Sequence, residues 1–332
     1  MTQINFPQNK RDAALGAILG ALVGDAAGAP LEFMEPSPTV VDAERALTMP
    51  GGGVWGVAPG QITDDGELTI CLLRGLAAGS TFHLEAIAQE YAEWVRSNPY
   101  DIGNTTRLGL GCFQDPRWRS LCEREGYAVG MTKAAATECM ASKSNGSLMR
   151  ATPLGVWGHR LSALELADHA RQDSCLSHPN PSCWQAVAAY AIAIAHLLNH
   201  HGDRERAFAA AEAWAVAHAN GEIAEWLTDA AQGVIVPYEP QIGFVRFGFT
   251  HAFRHLLRGT NYTDALLETL AGGGDTDTNA CIVGGLIGAA VGAEAIPLPL
   301  RNAILTCETA QGRPRPDFLH PRQVPALVNE FM

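Results

Sequence analysis

Two short acidic segments hold the residue types best able to do chemistry. One reads Gln61-Ile62-Thr63-Asp64-Asp65-Gly66-Glu67. The other reads Gly272-Gly273-Gly274-Asp275-Thr276-Asp277-Thr278-Asn279, and each opens an apolar run of helical spacing. Asp and Thr at such a start can satisfy the free N–H groups of a helix and suit its dipole. A cap needs one carboxylate, however, and each segment supplies two. The three glycines before Asp275 also leave the second loop open to close approach. If the loops meet, four carboxylates converge, and like charges that close cannot all stay ionised without a cation. Oxygen donors without Cys or His suit hard ions such as Mg²⁺, Mn²⁺ or Ca²⁺. With Thr276 turned away, Thr63, Asp64, Asp65, Asp275, Asp277 and Thr278 offer six oxygens, enough for two ions about 3.5–4 Å apart.

Three further segments bear on a ligand. Ser142-Lys143-Ser144-Asn145-Gly146-Ser147 is a small-residue loop holding one of only three lysines, Lys10, Lys133 and Lys143. Such a loop is either a surface turn or a backbone cradle for a diphosphate, neutralised by its lysine. His178, between Ser177 and Pro179, is either structural or a ligand contact. Gly51 to Gly56, with Trp55 as its one large anchor, is either a lid or a long connection.

Taken together, several motifs resemble the ADP-ribosylglycohydrolase family. They are Gly24-Asp25-Ala26-Ala27-Gly28, Thr63-Asp64-Asp65, Asn145-Gly146 before Met149-Arg150, Ser177-His178-Pro179 and Gly273 to Asn279. The likeness runs from about Leu15 to Val291, and the Arg313 to Pro321 tail fits it. The resemblance implies an all-α fold with two Mg²⁺ or Mn²⁺ ions at the base of a cleft, their ligands falling on the six residues above. Glu32, seven residues after Asp25, matches a glutamate that gates the cleft and touches the metal in some members; the alternative is a solvated loop acid. Ser142, Lys143, Ser144, Asn145 and Gly146 match the loop used for ADP-ribose, and His178 matches a substrate contact. Some members place an aromatic residue where Lys143 stands, so Phe113, Tyr238 and Phe244 are the candidates for stacking on adenine. Members usually carry Thr or Ser after the two aspartates; here it is Gly66, then Glu67, which reads best as a first-turn acid favoured by the helix dipole.

The chemistry so implied is hydrolysis at the ribose C1 of ADP-ribose attached to a protein side chain, arginine favoured. Its transition state has oxocarbenium character. Two metal ions would lower the pKa of a bound water and orient the ribose hydroxyls. Asp64 or Asp277 would guide proton transfer, with Glu32 completing the catalytic set. The implied partners are ADP-ribosylated protein and a cognate ADP-ribosyltransferase. The rivals are an ADP-ribosyl-serine or O-acetyl-ADP-ribose hydrolase, a phosphoesterase releasing AMP, and a non-catalytic ADP-ribose-binding or toxin-blocking protein.

Helices must position these residues. Ten segments repeat apolar residues at three and four: Ala13–Ala27, Glu67–Ala78, Leu84–Arg96, Ala163–Gln172, Cys183–His200, Arg204–Asn220, Ile223–Gly233, Phe244–Leu257, Tyr262–Ala271 and Thr278–Val291. Long β-branched runs are absent. Glycines four apart, Gly16 to Gly28 and Gly284 to Gly292, each cost about 1 kcal/mol against Ala and so imply two closely packed helices. A stronger form of this expectation brings the N-terminal loops of both together. The expected architecture is an all-α, compact, single-domain orthogonal helical bundle with a metal-containing cleft over residues 11–332, preceded by a flexible arm over 1–10.

Composition closes off other classes. The 332 residues are 47% hydrophobic and 17% charged, which excludes a disordered chain. A net charge of -12 argues against nucleic acid and anionic membranes. The longest uninterrupted apolar run, Ala280 to Ala293, is shorter than the roughly 20 residues of a membrane span. The polar start, Met1 to Lys10, lacks a signal-peptide core. None of the eight cysteines forms a CxxC pair, so they read as buried thiols. The expected location is the cytoplasm.

Overall fold

A computed structural model describes residues 7–332. Among them are seventeen α-helices. The first three are α1 (Lys10–Gly28), α2 (Val40–Ala46) and α3 (Asp64–Ala77). Then come α4 (Leu84–Arg96), α5 (Asn104–Leu110), α6 (Pro116–Glu125), α7 (Tyr127–Glu138), α8 (Thr152–Trp157) and α9 (Ala163–Ser174). The long α10 (Pro181–Asn199) is followed by α11 (Arg204–His218), α12 (Gly221–Ala231), α13 (Val245–Leu257) and α14 (Tyr262–Ala271). α15 (Thr276–Val291), α16 (Leu298–Leu305) and α17 (Val324–Asn329) close the chain. No strand occurs among the described residues, only two isolated bridges, Gly52 with Val57 and Ser144 with Phe244. The main core draws residues from Ala13 to Phe331, as the all-α bundle requires, beside a small separate cluster of Val236, Tyr238 and Phe247.

Every helix read from spacing is present. α2, α5, α6, α7, α8, α16 and α17 are additional. They are short, or almost without apolar residues like Pro-Arg-Trp-Arg-Ser-Leu-Cys-Glu-Arg-Glu in α6, or, like α7, carry small apolar residues spread around the helix. Such a segment lacks the stripe by which helices announce themselves. Asp115 accepts from the Arg117 N–H to start α6, with Pro116 at its first position.

The central pair is α1 against α15, the most extensive helix contact in the protein. The glycine rows make it. A Cβ on Gly20 would collide with the Gly284 carbonyl, one on Gly24 with the Ala280 carbonyl, and one on Gly16 with the Gly288 carbonyl. Gly28 lies against the Asp277 backbone in the same way. The pairs run in opposite chain directions, so the helices are antiparallel. The expectation that both N-terminal loops meet is therefore corrected: the end of α1 meets the beginning of α15. It is α3 whose N-terminus joins α15 there.

Two helical segments, Lys10–Leu31 and Pro181–Asn199, are long and apolar enough to cross a membrane, which the search for uninterrupted apolar runs passed over. Both are core helices, with 89% and 83% of their apolar windows buried inside the protein. All eight cysteines are free and, Cys175 apart, buried. Of the arm expected over residues 1–10, residues 1–6 lie outside the described residues. Pro7 is buried and Lys10 opens α1.

Candidate metal centre

Asp25, near the end of α1, organises the base of the site. Its carboxylate accepts from the Thr63 N–H at 3.0 Å, the Thr63 hydroxyl at 2.8 Å and the Gly66 N–H at 2.8 Å. It thus caps α3 from another helix, and Thr63 itself makes no capping hydrogen bond. Asp275 likewise makes none at the start of α15. The local capping reading of the two acidic loops therefore fails. Asp64 and Asp65, freed by Asp25, face a cavity together with Asp275, Asp277 and Thr278. Two helix N-termini point at this cluster, which favours negative charge there. The Thr276 hydroxyl instead donates to the Gly28 carbonyl at 2.8 Å, turned away as expected.

The oxygens are close. The Thr278 hydroxyl lies 3.3 Å from Asp65 Oδ2, and the Thr63 hydroxyl 3.4 Å from Asp65 Oδ2 and 3.5 Å from Asp277 Oδ2. Asp65 Oδ1 is buried without a hydrogen-bond partner. Glu32, Asp101 and Asp277 bring carboxylate oxygens within 4.8 Å of one another. Contact with Asp64 tempers the rise of the Asp101 pKa, and contact with Asp277 that of Glu32. Burial, then neighbouring carboxylates, pushes Asp64, Asp65 and Asp277 well above the usual range. Glu32 is pushed up to about 8 and Asp101 to about 6, again first by burial. An all-oxygen set with an orphaned buried atom and surplus negative charge fits hard divalent cations.

Asp101 has no counterpart in the sequence reading. It sits alone in Ser-Asn-Pro-Tyr-Asp-Ile-Gly before α5, where nothing in its spacing marks it. Only the turn residues ahead of a helix hinted at a loop carboxylate. Trp55 is better than a loop anchor: its indole N–H donates to Glu32 at 2.5 Å, and it lines the cavity.

The cavity above this base encloses about 610 Å³, within the range of small-molecule sites. Asn145 donates to Asp275 at 2.7 Å, tying the Ser142–Ser147 loop to the acidic base. The bridge from Ser144 to Phe244 and the Asn145 N–H to Gly243 carbonyl bond, 2.9 Å, hold that loop against the start of α13. Ser144, Asn145, Gly146 and His178 line the cavity. Ser142 sits behind, bonded to Thr105 and Ser144. Lys143 turns to the rim and pairs with Glu222 at 2.6 Å. His178 is buried between Ser177 and Ser144, and burial and then Arg150 press its pKa down to about 3. It is a neutral hydrogen-bonding group, not a proton carrier. Phe113 packs edge to face with Tyr127, Tyr238 stacks on His251, and Phe244 stays at the rim. The aromatic walls of the cavity are Phe33 and Trp55.

Gly66 does not line the cavity. A Cβ there would stand 2.5 Å from Asp25 Oδ2, so the missing hydroxyl belongs behind the site. Glu67 does lie in the first turn of α3, but the helix dipole is not all that holds it. It is buried, accepts from Trp94, and forms a two-point ion pair with Arg315 of the C-terminal tail at 2.7 and 2.9 Å.

Known proteins are similar to this chain over nearly its whole length. The ADP-ribosylglycohydrolase family model matches residues 7–323. The ADP-ribosyl-dinitrogen reductase glycohydrolase of Rhodospirillum rubrum is 31% identical over 297 residues, spanning 86% of this chain and 88% of its own. An ADP-ribosylarginine hydrolase of Pseudomonas putida is 26% identical over 304 residues, spanning 88% and 74%. A solved structure described as an ADP-ribosylglycohydrolase-related protein complex shares the fold, with a TM-score of 0.72 at 24% identity over 98% of both chains.

Proposed function

The chain belongs to the ADP-ribosylglycohydrolase family, and from that premise we propose that it hydrolyses the bond between the ribose C1 of ADP-ribose and a protein side chain, arginine first. The carrying observation is the ring of buried carboxylates at the cavity base, with Asp65 Oδ1 left unpartnered. Thr63, Asp64, Asp65, Asp275, Asp277 and Thr278 are the residues we assign to hold two Mg²⁺ or Mn²⁺ ions. When bound, such ions activate water and orient ribose hydroxyls.

The protein's own groups supply the rest. Asp101 and Glu32 stand over the base with pKa values raised toward neutrality, where a carboxyl can both hold and release a proton. Asp101, outside the assigned metal ligands, would return a proton to the leaving guanidine. Glu32, steadied by Trp55, closes one wall and excludes bulk water. Asn145 keeps Asp275 in place, and the backbone from Ser144 to Gly146, braced by His178 and Arg150, receives the diphosphate. Phe33 and Trp55 offer flat faces for the adenine or ribose.

The test is ADP-ribose release from arginine- and serine-ADP-ribosylated protein, side by side, with Mg²⁺, Mn²⁺ or EDTA. Metal-dependent release from the arginine conjugate is expected. Release from serine alone would move the linkage, release of AMP would replace the reaction, and no release with retained ADP-ribose binding would make the protein a binder.

A further inference from the structure

A second concavity lies beside the catalytic cavity, on the other side of the Gly272–Asp275 loop. It encloses about 680 Å³. Two chain segments connect the cavities. In residues 33–40, Phe33 lines the first and Val40 the second; in residues 235–242, Ile242 lines the first and Ile235 the second. Both segments brace the loop that carries Asp275. The Phe33 N–H donates to the Gly274 carbonyl, Ser37 and Pro38 crowd Gly273, and the Tyr238 ring lies against Gly272.

Apolar side chains are left in solvent along this route. Ile235 is 66% exposed, Val40 54%, Phe33 49% and Ile242 45%. Exposed apolar side chains gathered beside a site are a feature of surfaces that contact another molecule. The charge of the concavity narrows the choice. Its lining holds Glu239, Asp264 and Glu268 and no lysine or arginine. Arg254 and Arg258 balance Glu268 from outside, but neither Glu239 nor Asp264 takes part in an ion pair among the described residues. His251 is held neutral, its pKa pressed to about 4 by burial. A second copy of this chain, with net charge -12, and an anionic membrane are both opposed by these carboxylates.

We propose that this groove docks the protein substrate itself, taking a short segment with apolar and basic side chains beside the modified residue while the ADP-ribosyl group enters the neighbouring cavity. This rests on the glycohydrolase reading and adds how the macromolecular substrate is chosen. Selectivity among modified proteins then resides in the groove, and the cavity reads only what all of them share.

The test compares two substrates on wild type and on the double variant Val40→Lys/Ile235→Lys. Both residues are solvent-exposed and outside the catalytic cavity. One substrate is free ADP-ribosylarginine, the other a peptide carrying ADP-ribosylarginine flanked by leucine and lysine. The variant should lose about ten-fold in kcat/KM on the peptide, mainly through KM, and stay within about two-fold on free ADP-ribosylarginine. Wild type should also prefer this peptide over one flanked by glutamate. Equal loss on both substrates, or no loss on the peptide, overturns the proposal. If wild type releases nothing from either, the glycohydrolase reading falls. Peptide binding by surface plasmon resonance then decides the groove, and undiminished binding by the variant would rule it out.

Discussion

At the scale of single residues, the site depends on carboxylates whose tasks differ by where they sit. Asp25 is a cap supplied by one helix to another, and its three accepted hydrogen bonds release Asp64 and Asp65 for the cavity. Asp25→Ala should cost about 1–2 kcal/mol, as loss of a helix cap does, read as a lower urea midpoint. It should also weaken Mn²⁺ binding in a titration, because the α3 N-terminus loosens. Asp101 carries a different task. Asp101→Asn should cut kcat about 100-fold with unchanged thermal stability in Mg²⁺; activity within two- to three-fold of wild type would remove it from the chemistry. The six residues we assign to metal could be named from the sequence because their motifs are compact, whereas Glu32 came only from the family resemblance. Asp101 could not be named, because what selects it is the fold of the Tyr100–Gly103 loop over α3, anchored by the Tyr100 hydroxyl on the Ile62 carbonyl at 2.8 Å. Lys143 shows the converse: its loop borders the cavity, but a neighbour 79 residues away, Glu222, draws its charge to the rim.

At the scale of elements, the site's geometry is a consequence of one helix pair. Repeated glycine was readable as close packing, since its cost in a helix needs a reason. Direction was not readable, because a row of glycines looks the same from either end. Gly24→Ala would drive a methyl group into the Ala280 carbonyl. It should destabilise by about 1–3 kcal/mol or more and lower metal affinity as well, since the pair sets the spacing of Asp25 and Asp277. The tail is the second device. Arg315 is nearly buried, pairs with Glu67 and also donates to the Ser97 carbonyl and hydroxyl. It ties the first turn of α3 to the segment leading to Asp101. Glu67→Ala should cost about 3–5 kcal/mol, the penalty of stranding a buried charge, whereas Glu67→Leu with Arg315→Met should recover most of it in the same urea titration. The glutamate after Gly66 was legible as unusual in sequence, but its partner lies 248 residues away and no local rule reaches that far.

At the scale of the whole molecule, the buried carboxylates couple metal binding, pH and folding. Asp25, with a pKa raised by burial to about 7, Glu32, at about 8, and the strongly raised Asp64, Asp65 and Asp277 all bind protons more tightly folded than unfolded. Their contribution is fully present below the unfolded carboxylate pKa and is lost as pH rises through the folded values, because the unfolded chain then holds fewer protons. The buried histidines act oppositely, His159 among them, with its pKa lowered by burial. His178, His251 and His255 have folded pKa values of about 3, 4 and 3, pressed down by burial from 6.5. Their stabilisation is complete above 6.5 and is lost as pH falls toward 3, so it opposes the carboxylates only on the acid side. From about pH 6.5 to 8.5, the carboxylates therefore act alone among these groups. In EDTA, Tm should fall across that window. With saturating Mg²⁺ or Mn²⁺ the ligand carboxylates are held ionised, and binding to the folded state alone adds RT ln(1 + [L]/Kd). The metal-induced rise in Tm should thus grow with pH and abolish most of the decline. Differential scanning calorimetry at half-unit pH steps, with and without metal, decides it. A Tm in EDTA that climbs through the window, or a metal shift of equal size at both ends, would mean that the acidic base is not where proton and cation compete.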